Sequence, residues 1–121
     1  MDEKDKLEMR LDSSYMLTVE DGTDNDKADL LEEILEDKST LELTESDSVE
    51  TIKNSISDMG KGEVVVIKGY NERTEDEQKD LSMYLKGYAE RSNSADLVVH
   101  YTDKSPAFHN PDLNGRIYSI R

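Results

Sequence analysis

The run Glu63-Val64-Val65-Val66-Ile67-Lys68 constrains the fold of this chain more than any other feature. Its four central residues are all β-branched, whereas a strand with one solvent-facing side alternates apolar and polar side chains. Such a run predicts a central strand that is covered on both faces or packed at an interface. In either case the sheet that contains it needs apolar material on both sides.

Two amphipathic helices are predicted, one before and one after this strand. The first follows the N-cap candidates of Ser46-Asp47-Ser48 and ends at Gly60. The second begins at Thr74, because Thr74 and Glu77 have the spacing of a capping box. Their apolar faces comprise Val49, Ile52, Ile56 and Met59 in the first helix, and Leu81, Tyr84, Leu85 and Tyr88 in the second.

Four further segments have the composition of strands: 41–44, 96–101, 107–109 and 116–120. The element order is then β-α-β-α-β-β-β, which predicts an α/β (α+β) sandwich with two helices on a small mixed sheet. Two helices cover only one face of such a sheet, so we expect a dimer that covers the other face. The residues predicted for the dimer interface are Val64, Val66 and Leu85.

The first part of the chain differs in charge from the remainder. Residues 1–50 carry 18 acidic and 5 basic side chains, whereas residues 51–121 carry 11 and 10. Sparse apolar residues and high net charge are typical of disorder, so residues 1–38 are predicted to be a largely disordered acidic tail, with a possible short helix at 27–37. Residues 39–121 are predicted to be the folded domain. The acidity is also compatible with salt adaptation.

Composition excludes several classes of function. Clustered Lys and Arg side chains that could contact phosphates are missing, so nucleic-acid binding is not expected. Zero cysteines exclude disulfides, cysteine zinc sites and thiolate catalysis. We see neither a membrane-spanning segment nor a signal peptide, and therefore expect a cytoplasmic protein.

No set of residues has the spacing of a catalytic or cofactor site. His100 and His109 lack acidic residues at ligand spacing, and Ser105 is followed by Pro106 rather than set in a nucleophile elbow. Asp24-Asn25-Asp26 lacks the glycine and glutamate of a calcium loop. Gly60-Lys61-Gly62 lies between a helix and a strand, the reverse of a phosphate-binding loop. We therefore predict a protein that is not an enzyme and holds no cofactor or metal.

Gly87 lies inside the second predicted helix, between tyrosines. A glycine there either carries a small cost in stability or allows another backbone to approach closely. Most of the chain's tyrosines should pack at the edge of the core, but tyrosine is also a favoured interface residue.

Four strings, in this order and spacing, resemble the SepF family of cell-division proteins, in particular its archaeal members. They lie within Leu41–Ile120 and comprise Asp47-Ser48-Val49-Glu50-Thr51-Ile52-Lys53, Gly62-Glu63-Val64-Val65-Val66-Ile67, Tyr84-Leu85-Lys86-Gly87-Tyr88-Ala89 and Ser94-Ala95-Asp96-Leu97-Val98. The family's glycine pair before the third strand is replaced here by Ser94-Ala95.

The resemblance implies a non-enzymatic adaptor for cell division and septum assembly. Such an adaptor is a homodimer that binds the C-terminal tail peptide of FtsZ and ties its filaments to the inner face of the membrane at the division site. The contacts that we predict for this peptide are Tyr84, Gly87, Tyr88, Val98 and His100. Family members begin with an amphipathic membrane-targeting helix, whereas Met1–Leu11 is rich in acidic residues, which anionic lipid would repel. Peripheral membrane association is thus the least supported part of this prediction.

An alternative remains open at the level of sequence. The chain could be a generic acidic, dimeric regulatory or interaction module unrelated to FtsZ, in which the helix at Asp29–Glu36 caps its own sheet or that of a partner.

Overall fold

A computed structural model describes residues 2–13, 16–22, 26–89, 95–115 and 117–120, and within them strands alternate with helices. The strands are β1 (Met16–Glu20), β2 (Ser39–Leu43), β3 (Glu63–Ile67), β4 (Asp96–Tyr101) and β5 (Ile117–Ile120). The helices are α1 (Glu3–Ser13), α2 (Asp26–Glu36), α3 (Val49–Asp58), α4 (Glu75–Ala89) and the single turn α5 (Pro106–His109). Two 3-10 turns lie at Tyr70–Glu72 and Pro111–Gly115.

The strands form one sheet in the order β2-β3-β4-β1-β5, and every described pair is parallel. The general α/β class is as predicted, but the mixed sheet is not. Each connection between consecutive strands contains a helix, which returns the chain to the same edge of the sheet and so keeps the strands parallel. The strand predicted at 107–109 is instead α5, because Pro106 stands at its first turn and three residues are too few to distinguish the two patterns.

The two faces of the sheet carry separate helical layers. Val65 and Ile67 of β3 pack with α3 and α4, which we call the α3/α4 layer. Val64 and Val66 pack with α1 and α2, the α1/α2 layer. The β-branched run is therefore a central strand that the chain itself covers on both faces.

The structure differs from the predicted domain boundary at residue 39. The helix predicted at 27–37 is present as α2, but α1 and β1 are also part of the fold, and β1 lies inside the sheet between β4 and β5. The apolar residues of this segment are few, yet nearly all are used: Leu7, Leu11, Met16, Leu17, Val19, Leu31, Ile34 and Leu35 are buried. Sparse apolar residues at helical spacing thus complete a core when a sheet face is available to them.

The dimer interface predicted from the sequence is not available on the folded chain. Val64, Val66 and Leu85 are 0%, 4% and 0% exposed, all within the single chain. The α1/α2 layer already covers the sheet face for which a second copy was invoked. Homodimerisation stays a prediction, but it is no longer supported by an uncovered face of the sheet.

Local capping explains where α3 and α4 begin. The Ser48 hydroxyl accepts a hydrogen bond from the Thr51 amide at 3.1 Å. The Thr74 hydroxyl accepts from the Glu77 amide at 3.2 Å and donates to the Glu77 carboxylate at 3.1 Å. Both starts agree with the sequence prediction, because capping is a local property.

Candidate functional site

The residues predicted to bind a peptide do not form one surface. Tyr84 and Tyr88 belong to the α3/α4 layer, whereas Val98 packs with the α1/α2 layer on the opposite face of the sheet. Tyr88 and Val98 are buried, at 3% and 0% exposure, and so is His100 at 7%. The sheet itself separates the two groups, so the predicted groove is wrong as a single site.

The tyrosine pair of α4 has a structural role. The Tyr84 hydroxyl donates to the Lys53 carbonyl at 3.0 Å, which ties α4 to α3. The Tyr88 hydroxyl accepts from the Ala95 amide at 2.9 Å, just before β4. The two rings stack with centroids 6.3 Å apart.

Gly87 is exposed, and a Cβ built on it would meet nothing within 4 Å. The chain's own packing therefore does not require glycine there. Of the two interpretations of Gly87, the close approach of another backbone finds no counterpart among the described intramolecular contacts.

β1 and β4 are parallel neighbours in the sheet, so their carboxyl ends lie side by side. The connection after β1 leads to α2 on one face, whereas the connection after β4 places Ala107 and Leu113 on the other. Neighbouring parallel strands whose connections leave to opposite faces open a crevice between them, where α/β proteins commonly bind ligands.

A cleft of about 230 Å³ lies at this edge of the sheet, and we call it the carboxyl-edge cleft. Its wall includes the carboxylates of Asp21, Glu45 and Glu72, together with His100 and Asn71. The three carboxylates follow β1, β2 and β3, and His100 lies in β4, so only the fold brings these residues together. Three carboxylates in one small cleft favour a cationic ligand over an anionic one.

Asp21 and His100, which both line this cleft, form a pair. His100 Nδ1 lies 2.9 Å from Asp21 Oδ1, and the imidazole side chain is only 9% exposed. His100 Nε2 is buried and has no hydrogen-bond partner within the part of the chain that the structure describes. A carboxylate beside Nδ1 favours a proton on that nitrogen.

Asn71 holds the loops around the cleft in place. Its side-chain oxygen accepts from the amides of Thr102 and Asp103, both at 2.8 Å. Its amide nitrogen donates to the Lys104 carbonyl at 2.8 Å and to the Gln78 side chain at 3.1 Å. The loop after β3 is thereby joined to the loop after β4.

Gly69 determines where Glu45 lies. Its φ is +71°, a backbone conformation that favours glycine, and a Cβ there would overlap the Glu45 carboxylate. The absence of a side chain at this position lets Glu45 lie over the loop and line the cleft.

The connection from β1 to α2 is a strand-to-helix loop, the context in which phosphate-binding loops occur. That motif needs glycine, four residues, a second glycine, lysine and then serine or threonine. The corresponding frame here has Asp21, Asp26, Lys27 and Ala28, so only the lysine agrees. Aspartates in place of both glycines add negative charge, and alanine offers no hydroxyl for Mg²⁺. Residues 23–25 of this loop lie outside the described residues, as do two of the three residues of the Asp24-Asn25-Asp26 string considered for calcium.

A second concave surface, of about 450 Å³, lies between α1, the start of α2 and strand β5. We call it the α1–β5 groove. Tyr118 of β5 lines it, with the Arg10 guanidinium 5.3 Å and the Lys27 ammonium 5.9 Å from the ring centroid. Lys6 adds a third cation and Glu3 an acid, while Met9 is 54% exposed beside them.

The charge of this groove contrasts with that of its surroundings. Residues 1–50 contain only five basic residues, and three of them line the groove. A positive, partly apolar surface has therefore formed within the most acidic half of the chain. The sequence offered one signal for it, the clustering of Lys6 and Arg10 one helical turn apart, but not the proximity of Tyr118.

His109, the other histidine, is a structural residue in this fold. The Tyr70 hydroxyl donates to the Gln78 carbonyl at 2.9 Å and lies 3.0 Å from His109 Nδ1, which anchors α5 against α4. Burial lowers the pKa of His109 and raises that of Tyr70, which disfavours the charged form of each. Among the described residues, no three His, Asp or Glu side chains are arranged to hold a metal ion.

One carboxyl group has a perturbed pKa at the opposite edge of the sheet. Burial, together with the neighbouring carboxylate of Asp12, raises the pKa of Asp96 to about 6. Asp12 belongs to α1 and lies 3.8 Å from the Lys38 ammonium. This is the point at which the acidic helix α1 meets the start of β4.

No protein-family model matches this sequence, and no curated protein matches it significantly. Within the described ranges, no helix is both long and apolar enough to cross a membrane.

Proposed function

We propose that this protein is a non-enzymatic adaptor that binds an acidic, partly apolar segment of a partner protein in the α1–β5 groove. The observation that carries the proposal is the pair of cations, Arg10 and Lys27, at 5.3 Å and 5.9 Å from the centroid of the Tyr118 ring. Tyrosine and arginine are the residue types most enriched among energetically important interface residues. An exposed methionine beside them supplies adaptable apolar contact.

The partner's charge follows from complementarity. Three cations and one carboxylate line the groove of a chain whose net charge is −14. An acidic peptide is repelled by most of this protein and attracted at the groove, so electrostatics favour binding in this one place. A basic peptide would instead be spread over the acidic surface.

The edge of the sheet supports an extended peptide. β5 is the last strand of the described sheet and pairs with β1 alone within it. An extended segment can add to such an edge through main-chain hydrogen bonds, while its side chains enter the groove beside it.

The resemblance described above names one candidate occupant, the C-terminal tail of FtsZ. On this version of the proposal the protein acts at the division site on the inner face of the membrane, as a homodimer. In this version the FtsZ tail contacts the α1–β5 groove instead of the residues predicted on α4 and β4. The apolar residues Leu7 and Leu11 of α1 pack in the core, which leaves α1 poorly suited to be a membrane anchor.

A second candidate is the regulatory or interaction module unrelated to FtsZ. One observation favours it: α2 caps the chain's own sheet, as that alternative allowed. The aspartates of the β1–α2 loop would repel the phosphates of a nucleotide, so neither version involves nucleotide binding at this loop.

The test is fluorescence anisotropy of the full chain with two labelled peptides: the FtsZ C-terminal tail from the same organism, and an acidic peptide of equal length with leucine at alternate positions. The matched variants are Arg10→Glu with Lys27→Glu in the groove, and Lys61→Glu with Lys79→Glu on exposed sites elsewhere. Both doubles change the net charge by the same amount. We expect saturable binding that weakens more than about tenfold in the groove double only.

Each result has a defined meaning. Binding of the FtsZ tail supports the division adaptor, and binding of the leucine peptide alone supports the generic module. Equal loss in both doubles would mean that only overall charge matters, which contradicts the groove. Failure of both peptides to bind contradicts the proposal.

A further inference from the structure

Helix α1 is attached to the sheet by few apolar contacts. Among its described side chains only Leu7 and Leu11 are buried, at 4% and 1% exposure. An isolated helix of this length is unstable in water, so α1 stays helical only while it is docked. Segments with few buried apolar side chains are the first to open in a native protein. The polar contacts at the end of α1 therefore have a large influence on how often it opens.

One lysine and three carboxyl groups meet where α1 ends. The Lys38 ammonium lies 3.8 Å from Asp12 and 4.0 Å from Glu8, both in α1. Asp96, the first residue of β4, is hydrogen-bonded to Asp12 through its side chain and also interacts with Lys38. A single ammonium cannot neutralise three carboxylates. A proton on Asp96 reduces the excess charge and supplies the donor that a hydrogen bond between two carboxyl groups requires.

The other strands beside Asp96 bring little further charge to it within the described part of the chain. β3 contains one charged residue, Glu63, and its carboxylate accepts a hydrogen bond from the Gly60 amide at 3.0 Å. β1 has its one charged residue, Glu20, at the far end. The protonation of Asp96 therefore depends mainly on burial, on α1 and on Lys38.

We propose that Asp96 and Asp12, which we call the carboxyl pair, make the docking of α1, and thereby the α1–β5 groove, dependent on pH. The consequence for the groove rests on the proposed function. Among the described residues, α1 contributes five of the seven that line the groove, including Lys6 and Arg10. Opening of α1 would separate these cations from Tyr118, so the groove exists only while α1 is docked.

The direction of the effect depends on which state binds the proton more tightly. Burial and Asp12 raise the pKa of Asp96 to about 6 while α1 is docked. When α1 opens, Asp96 gains solvent and loses Asp12, so its pKa returns towards the ordinary value. Docking of α1 is therefore favoured below pH 6 and weakened as pH rises through 6. Binding at the groove follows the same direction, because only the docked state is competent.

The first measurement is amide hydrogen exchange of the full chain without ligand at several pH values from 5.5 to 8, relative to the rates of unstructured peptides. We expect the α1 amides to be about two- to fourfold better protected at pH 5.5 than at 7.5, as linkage predicts for a pKa that moves between 6 and its ordinary value. Asp96→Asn should keep the greater protection at every pH, since its amide always donates. Asp103→Asn, at an exposed aspartate, should keep the pH dependence of the unmodified chain.

Lys38→Gln distinguishes the carboxyl pair from a merely structural ion pair. Lys38 lowers the pKa of Asp96, so removal of the ammonium should move the loosening of α1 to higher pH. Loss of α1 protection by the same factor at every pH, with no change in the midpoint, would overturn the inference. Protection that does not change with pH in the unmodified chain, or that changes equally in Asp96→Asn, would overturn it as well.

The consequence for the groove is measured by fluorescence anisotropy with the acidic, leucine-containing peptide at pH 5.5 and 7.5. Its carboxylates remain largely ionised at both values. We expect binding to be up to about fourfold tighter at pH 5.5, and equal at the two values in Asp96→Asn. Equal affinities in the unmodified chain would overturn the regulation of the groove. Failure of the peptide to bind at either pH contradicts the proposed function, whereas the exchange measurement decides the role of the carboxyl pair by itself.

Discussion

The α1/α2 layer and the α3/α4 layer cover the same sheet but are built from very different sequence. The first comes from the half of the chain with 18 acidic and 5 basic residues, the second largely from the half with 11 and 10. Each nevertheless buries a cluster of aliphatic side chains against the sheet and leaves one methionine exposed, Met9 in α1 and Met83 in α4. Composition therefore describes the solvent-facing side of a helix, whereas packing depends on a few positions on its other side.

The strongest test of this comparison is removal of the first layer together with β1. A chain of residues 39–121 lacks an interior strand and leaves Val64, Val66 and Val98 exposed, so we expect it not to fold cooperatively. Circular dichroism during thermal unfolding would show no sigmoidal transition. A truncated chain that melts like the full protein would mean that residues 1–38 are the dispensable tail that their composition suggests.

Single leucine-to-alanine substitutions compare how tightly the two layers are packed. Leu31→Ala in α2 and Leu85→Ala in α4 each remove a side chain that is at most 1% exposed. We expect each to lower the free energy of unfolding by about 2–5 kcal/mol, with similar losses in both layers. Urea unfolding measures this, with Met83→Ala at a 69% exposed site as the control. A loss in Leu31→Ala no larger than in that control would mean that the α1/α2 layer is only loosely attached.

Asp96 lies where α1 meets the sheet, and its pKa makes the stability of the protein depend on pH. Its folded pKa of about 6 lies above the ordinary value, so between roughly pH 4 and 6 the folded state retains a proton that the unfolded state has released. This group's contribution to stability is present below pH 4 and is lost as pH rises through 6.

A neutral residue at position 96 removes this loss of stability at high pH. Asp96→Asn should raise the free energy of unfolding by about 1 kcal/mol at pH 7.5, after allowance for its partial exposure, and change it little at pH 4. Asp103→Asn makes the same change at an exposed aspartate and is the control. A gain that does not depend on pH would contradict the raised pKa.

Gly87 gives the smallest expected effect and bears on the surface of the α3/α4 layer. Because a Cβ meets no atom within 4 Å, Gly87→Ala should stabilise α4 by about 0.5–1 kcal/mol. Gly62→Ala, at a φ of +91°, should destabilise the protein and serves as the contrast. Light scattering on the same samples reports the oligomeric state. Dissociation of a dimer by Gly87→Ala would restore the close-approach interpretation of this glycine.

Local signals predicted much of the fold. The caps at Ser48 and Thr74 and the stripe of α2 are encoded within a few residues, and each occurs as expected. Helix α1 could not be predicted in this way, because its buried residues, Leu7 and Leu11, form too short a stripe to stand out against its charges. The strand order could not be predicted either, since only β2-β3 and β3-β4 are neighbours in both sequence and space.

The candidate surfaces were harder to predict for a related reason. Asp21, Glu45 and Glu72 are each unremarkable in an acidic chain, and they meet only because three strands end at one edge. Tyr118 meets Arg10 and Lys27 because β5 returns beside β1 after nearly the whole sequence has intervened. The buried positions of Tyr88 and Val98 likewise depend on which face each element presents, which the pattern of a single element does not determine.

The interior position of β1 has a consequence for synthesis. β1 leaves the ribosome before its partners β4 and β5, which follow only about 80 to 100 residues later, since Leu17 pairs with Val98 and Tyr118. At about 5–20 residues per second the segment waits several seconds before it can enter the sheet. During that delay a conventional apolar strand and helix would be prone to aggregate, whereas mutual repulsion keeps these acidic segments apart. The charge that resembles disorder in the sequence is then what protects the nascent chain until the sheet can close.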